Sequence, residues 1–129
     1  MLKRIIIGVV VFIGLGAGYS VLHPGAKSCN SLVDTSNSAV EQYNTIARNA
    51  TDVNSLTGLI STLRSTATKM RADASDYKSP FDSDARVAAD RMDAMAAAID
   101  KGNPTGIDAA AASFNVQKDK INSDCRAAR

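Results

Sequence analysis

Beyond residue 29, apolar side chains recur at spacings of three and four, the period at which a helix turns one face to a core. Chain breakers divide the pattern into four amphipathic pieces. The first runs from about Asn30 to Asn49, with Leu32, Ala39, Tyr43 and Ile46 on one stripe and Ser36 as its polar exception. The second runs from Val53, behind Thr51-Asp52, to Lys78, and carries Leu56, Ile60, Leu63, Ala67, Met70, Ala74 and Tyr77 in four-three alternation. Ser79-Pro80-Phe81-Asp82 then offers a capping Ser, a Pro at the first helical position and an acid at the third. A third helix is predicted there, with Ala85, Ala88, Met92, Met95 and Ile99 inward. Gly102-Asn103-Pro104 stops it, and Asn103 or Thr105 caps a fourth helix with Ile107, Ala111, Phe114, Ile121 and Cys125 on its stripe. Lys118 falls on that stripe and is expected to snorkel at its edge.

Helices of similar length joined by short connections pack as antiparallel neighbours, so the pattern predicts an all-α, up-down-up-down four-helix bundle over residues 30–129. That order returns the end of the fourth helix to the pole where the first begins. Cys29 and Cys125, the two cysteines of the chain, fall at those two ends. They are expected to form a disulfide closing nearly the whole domain, a pairing that belongs to an exported chain.

The N-terminal segment carries a different pattern. Met1-Leu-Lys-Arg4 precedes an uncharged run from Ile5 to Leu22, which as a helix would reach roughly 27 Å, close to the ~30 Å hydrocarbon layer of a bilayer. Residues 1–22 are accordingly expected to be a membrane anchor, followed by a short linker over 23–29. The cations Lys3 and Arg4 favour a cytoplasmic N-terminus and a domain delivered outside the membrane, in the periplasm or at the cell exterior. The alternative is a cleaved signal peptide ending near Gly16-Ala17-Gly18, from which the bundle is released. Gly14 and Gly18 stand at the G-x-x-x-G spacing that lets a second membrane helix approach closely. Lys27, Arg126 and Arg129 would gather at the clamped pole, where they could meet lipid headgroups.

Composition narrows the chemistry. The chain of 129 residues is 45% hydrophobic but only 5% aromatic, with no Trp, and the abundant Ala implies a core of small side chains in closely packed helices. A formal charge of +2, spread over alternating signs, forms no basic stripe, so nucleic acid is not an expected partner. The single histidine, His23, precedes Pro24 outside the bundle, which removes His-based triads and bundle-core metal or haem ligation from consideration. Pairs such as Asp73/Asp76 and Asp90/Asp93 read as solvated helix faces with four-spaced ion pairs. Met70, Met92 and Met95 read as core fillers.

No catalytic, metal or cofactor residue is therefore expected, and the function predicted from sequence is not enzymatic. The leading expectation is a membrane-anchored extracytoplasmic interaction module, an accessory subunit with the bilayer and a membrane protein as partners. The alternative expectation is an exported ligand-binding or chaperone-like helical protein, released after signal-peptide cleavage.

Overall fold

The computed structural model describes residues 26–49 and 53–127. They form helices α1 (Ala26–Arg48), α2 (Val53–Ala74), α3 (Phe81–Lys101) and α4 (Pro104–Ala127), with no strand among the described residues. The antiparallel order is legible in the bonds between neighbours. Ser28 Oγ at the start of α1 accepts from Lys78 N just beyond α2, at 3.0 Å. Arg71 late in α2 meets Asp90 and Asp93 of α3 at 2.8 and 2.6 Å. Gln117 and Lys120 late in α4 reach Asp84 in the first turn of α3. The expected pole is therefore real: it joins the start of α1, the end of α2, the start of α3 and the end of α4.

Cys29 and Cys125 are bonded there, with Cα atoms 5.6 Å apart, inside the reach of an ordinary disulfide.

The core follows the expected stripes in most places. Leu32, Ala39 and Tyr43 of α1, Leu63, Ala67, Met70 and Ala74 of α2, all five inward residues of α3, and Ile107, Ala111, Phe114, Ile121 and Cys125 of α4 are buried. Ser36 is buried within α1 and satisfies its hydroxyl on Leu32 O at 2.8 Å. Helices α2 and α3 share the most extensive interface. Ala67 and Ala74 on one side and Ala85, Ala88, Ala89 and Ala96 on the other are all buried, and such small side chains allow backbones to close together. By contrast, α1 packs chiefly on α2 and meets α4 only sparsely.

Several expectations need correction. Helix α1 begins at Ala26, not Asn30, so the linker placed over 23–29 is shortened and Cys29 lies within a helix. Helix α2 ends at Ala74, not Lys78, and tight turns from Asp76 N to Asp73 O and from Tyr77 N to Ala74 O close it. Tyr77 leaves the helix to bond Ser31 by its hydroxyl at 2.8 Å. Ser79 does not cap α3: Pro80 holds the N-cap position, following a cis peptide bond, with no side-chain cap bond. Asp82 and Asp84 in the first turn still suit the positive end of the helix dipole. At the other end Gly102, at φ 66°, forms a left-handed cap that passes its N–H to Ile99 O. Asn103 Oδ1 accepts from Gly106 N and opens α4, which decides between the two expected caps.

The larger correction concerns the membrane. No helix among the described residues is long and apolar enough to cross one. A transmembrane helix, a single-pass topology and a lipid bilayer as partner are not carried forward, nor is the accessory-subunit reading built on them. Residues 1–22, with Gly14 and Gly18, lie outside the described residues.

Candidate functional site

Two features of the bundle depart from ordinary apolar packing. The first lies at the clamped pole beside the disulfide. Asp84 sits three residues after Phe81 and four before Ala88, which puts it on the buried side of α3 at 1% exposure. Lys120, an exposed residue of α4, extends its ammonium to Asp84 Oδ1 at 2.9 Å and to Asp124 Oδ2 at 2.7 Å. Gln117, also buried, donates from Nε2 to the Asp84 carbonyl oxygen at 2.9 Å. Asp84 Oδ2 has no hydrogen-bond partner.

This arrangement separates the two carboxyls electrostatically. Burial, and then the neighbouring Asp124 carboxyl, push the Asp84 pKa up to about 6, against the downward pull of Lys120. Asp124, less buried, is held below the ordinary carboxylate range by Asp84 and Lys120. The ammonium of Lys120 is raised by its bonds to Asp124 and Asp84 and stays charged. Asp84 therefore exchanges a proton in mildly acidic solution. No group of three or more His, Cys, Asp or Glu side chains suited to a metal ion occurs among the described residues.

The second feature lies deeper in the bundle, where α1 and α4 meet sparsely. Val40, Tyr43, Leu63, Met92, Met95 and Phe114 line an apolar cavity of about 20 Å³. That is room for a water or a methyl group, but a water needs two or more polar partners and the lining is almost wholly apolar. Tyr43 is 3% exposed, and its hydroxyl has no hydrogen-bond partner. Burial raises its pKa, so the group stays a neutral O–H. Leaving such a donor unpaired costs about 1–3 kcal/mol.

The basic residues expected at the clamped pole are only partly gathered. Lys27 and Arg126 are exposed, whereas Arg129 lies outside the described residues. Lys27 rims an open groove with Ser31, Lys69, Asp73, Asp76 and Tyr77, in which Lys69 is already paired to Asp73 at 2.6 Å. Charges of both signs meet in that groove. Lys118 lies at the edge of the stripe, partly buried with its ammonium turned out toward Asp119, while Gln117 beside it is buried.

Sequence reasoning passed over Asp84, Gln117 and Tyr43 as site residues. A signal existed for Asp84 in its spacing from Phe81 and Ala88, and for Lys120 in the four-residue step to Asp124. For Tyr43 it had none, because a phenol on an apolar stripe looks the same whether or not its hydroxyl finds a partner.

Together these observations define an all-α, four-helix domain clamped by one disulfide between its first and last helices. No family model, curated protein or solved structure matches the chain.

Proposed function

We propose that the protein is an exported, non-enzymatic binding protein, whose disulfide-clamped bundle holds a small apolar ligand behind the seam between α1 and α4. The observation that carries this reading is the pairing of an apolar cavity with the unpartnered hydroxyl of Tyr43, in the part of the bundle where one helix is held most lightly. An apolar pocket with a lone polar group is the usual composition of a small-molecule site. The disulfide supports export, because such bonds persist in oxidising compartments. A binding role is favoured over catalysis by the exposed or ion-paired state of the remaining acids and bases, which leaves no nucleophile aligned with a base at the cavity.

The test is recovery of the oxidised protein from its native compartment, followed by native mass spectrometry and organic extraction. A bound low-mass apolar compound is expected at up to one equivalent. Protein recovered empty, whose unfolding midpoint no apolar small molecule raises, would overturn the reading.

A further inference from the structure

We propose that the cavity behind the α1–α4 seam selects a slender alkyl chain ending in an uncharged oxygen, an alcohol, ketone or ester, which accepts a hydrogen bond from Tyr43. This rests on the binding reading above and adds the chemical class of the ligand.

Three observations set that class. The Tyr43 hydroxyl is a buried donor without an acceptor, so a ligand oxygen supplies a bond that no protein group makes. No cationic side chain lines the cavity, so a carboxylate or phosphate would be desolvated without compensation. An uncharged oxygen is therefore preferred to an anionic one. The third observation concerns shape. The present volume of about 20 Å³ admits little more than a methyl group, so entry requires the wall to yield.

The wall can yield on the side of α1. Helix α3 packs extensively on both α2 and α4, whereas α1 meets α4 sparsely and is fixed to it at one pole by Cys29–Cys125. Tyr43 lies fourteen residues along α1 from Cys29, roughly 21 Å at the helical rise. A small outward rotation of α1 about the clamped pole opens the seam most at the far end and least at the disulfide. A gap of that shape accepts a narrow chain more readily than a fused ring. Met92 and Met95 on the opposite wall are unbranched thioethers that repack at low cost around an inserted chain.

The experiment titrates the oxidised full chain with 1-hexanol and with hexanoate at pH 7, following the methyl resonances of Met92 and Met95 by NMR. It is repeated on Tyr43→Phe. Because the substitution removes only an unpaired hydroxyl, the variant is expected to unfold at the same or a higher temperature, which separates lost binding from lost fold. Saturable binding of 1-hexanol, at least tenfold weaker binding of hexanoate, and a roughly fivefold loss of hexanol affinity in Tyr43→Phe are expected, the last being the effect of one neutral hydrogen bond. Equal hexanol affinity in both proteins, or hexanoate binding as tightly as hexanol, overturns the assigned ligand class and leaves the binding reading standing. Absence of saturable shifts with either compound overturns both.

Discussion

Lys120 Nζ lies 2.9 Å from Asp84 Oδ1, so an exposed cation on α4 reaches down to a carboxyl that is 1% exposed on α3. The pair spans the two helices one turn from the disulfide, since Lys120 precedes Cys125 by five residues. Its geometry is asymmetric: one end is fixed by burial, and the other is solvated and shared with Asp124. Removing a carboxylate from water costs several kcal/mol, and a solvent-screened ammonium repays only part of that. The raised pKa of Asp84 records the imbalance.

A pH dependence of stability follows. In the folded chain Asp84 titrates near pH 6 against an ordinary 3.8, so the folded state binds the extra proton between those values. The buried group is therefore favourable below about pH 4, and its contribution is lost as pH rises through 6, by up to about 3 kcal/mol. Asp124 has the opposite sign, but its pKa is lowered, so its contribution changes only below the ordinary carboxylate range and leaves this window to Asp84. Asp84→Asn keeps an acceptor for Lys120 and buries no charge. Urea midpoints between pH 4.5 and 7 should fall less steeply with rising pH in Asp84→Asn than in the wild type. Parallel profiles would show that Asp84 does not carry the dependence.

Gly58 gives a prediction of gain. It lies within α2, where glycine costs roughly 0.5–1 kcal/mol relative to Ala. A Cβ built there meets Ile46 Cγ2 of α1 at 3.7 Å, an ordinary contact. Gly58→Ala is expected to raise stability by about 0.5–1 kcal/mol, measured as a higher urea midpoint with an unchanged slope. Gly102→Ala is its counterpart, with no neighbour within 4 Å but a φ of 66°, and it is expected to lose about 1 kcal/mol.

Helix number, order and the disulfide were legible in the sequence because each rests on a repeated or redundant signal: apolar period, breakers at the joints, and two cysteines at ends that the topology must bring together. The exact facing of individual side chains was less so. Leu56, Leu59 and Ile60 all lie within five residues, and periodicity alone admits either Leu56 with Ile60 or Leu59 as the inward set. Leu59 is buried completely, whereas Leu56 and Ile60 are buried only in part and pack against the edge of the core. Gln117 was not anticipated in the core, where its amide satisfies the Asp84 carbonyl, whereas Lys118 keeps its ammonium at the edge. The boundaries of α1 and α2 differ because Ala26-Lys27-Ser28 join the helix, and because the chain turns after Ala74 and Tyr77 bonds Ser31 by its hydroxyl.

That facing can be measured. Leu59→Ala removes a side chain at 0% exposure and is expected to cost about 2–5 kcal/mol, as is Leu63→Ala at 4%. Leu56→Ala, at a half-buried position packed on the edge of the core, should cost about 1 kcal/mol or less. Equal losses at Leu56 and Leu59 in denaturant titrations would place both on the core face.

The last prediction concerns the clamp itself. Cys29 and Cys125 are 96 residues apart, and a loop of that size restricts the unfolded chain by up to about 4–5 kcal/mol in the chain-entropy account. The double substitution Cys29→Ser/Cys125→Ser should therefore lower the unfolding free energy by a few kcal/mol, a large share of a small domain's total. The loss should not be uniform across the bundle. Helices α2, α3 and α4 retain their shared interfaces, whereas α1 keeps its packing on α2 but loses the bond that closes it onto α4, where other contacts are sparse. Hydrogen exchange should accordingly rise first and most in α1, from Ser31 toward Val40, with α2–α3 amides such as those near Ala67 and Ala88 protected until global unfolding. The hydroxyl bond from Ser31 to Tyr77 should weaken with it, leaving the phenol exposed to solvent. Uniform acceleration across all four helices would mean that α1 is no more loosely held than the rest, and that the disulfide acts only on the unfolded chain.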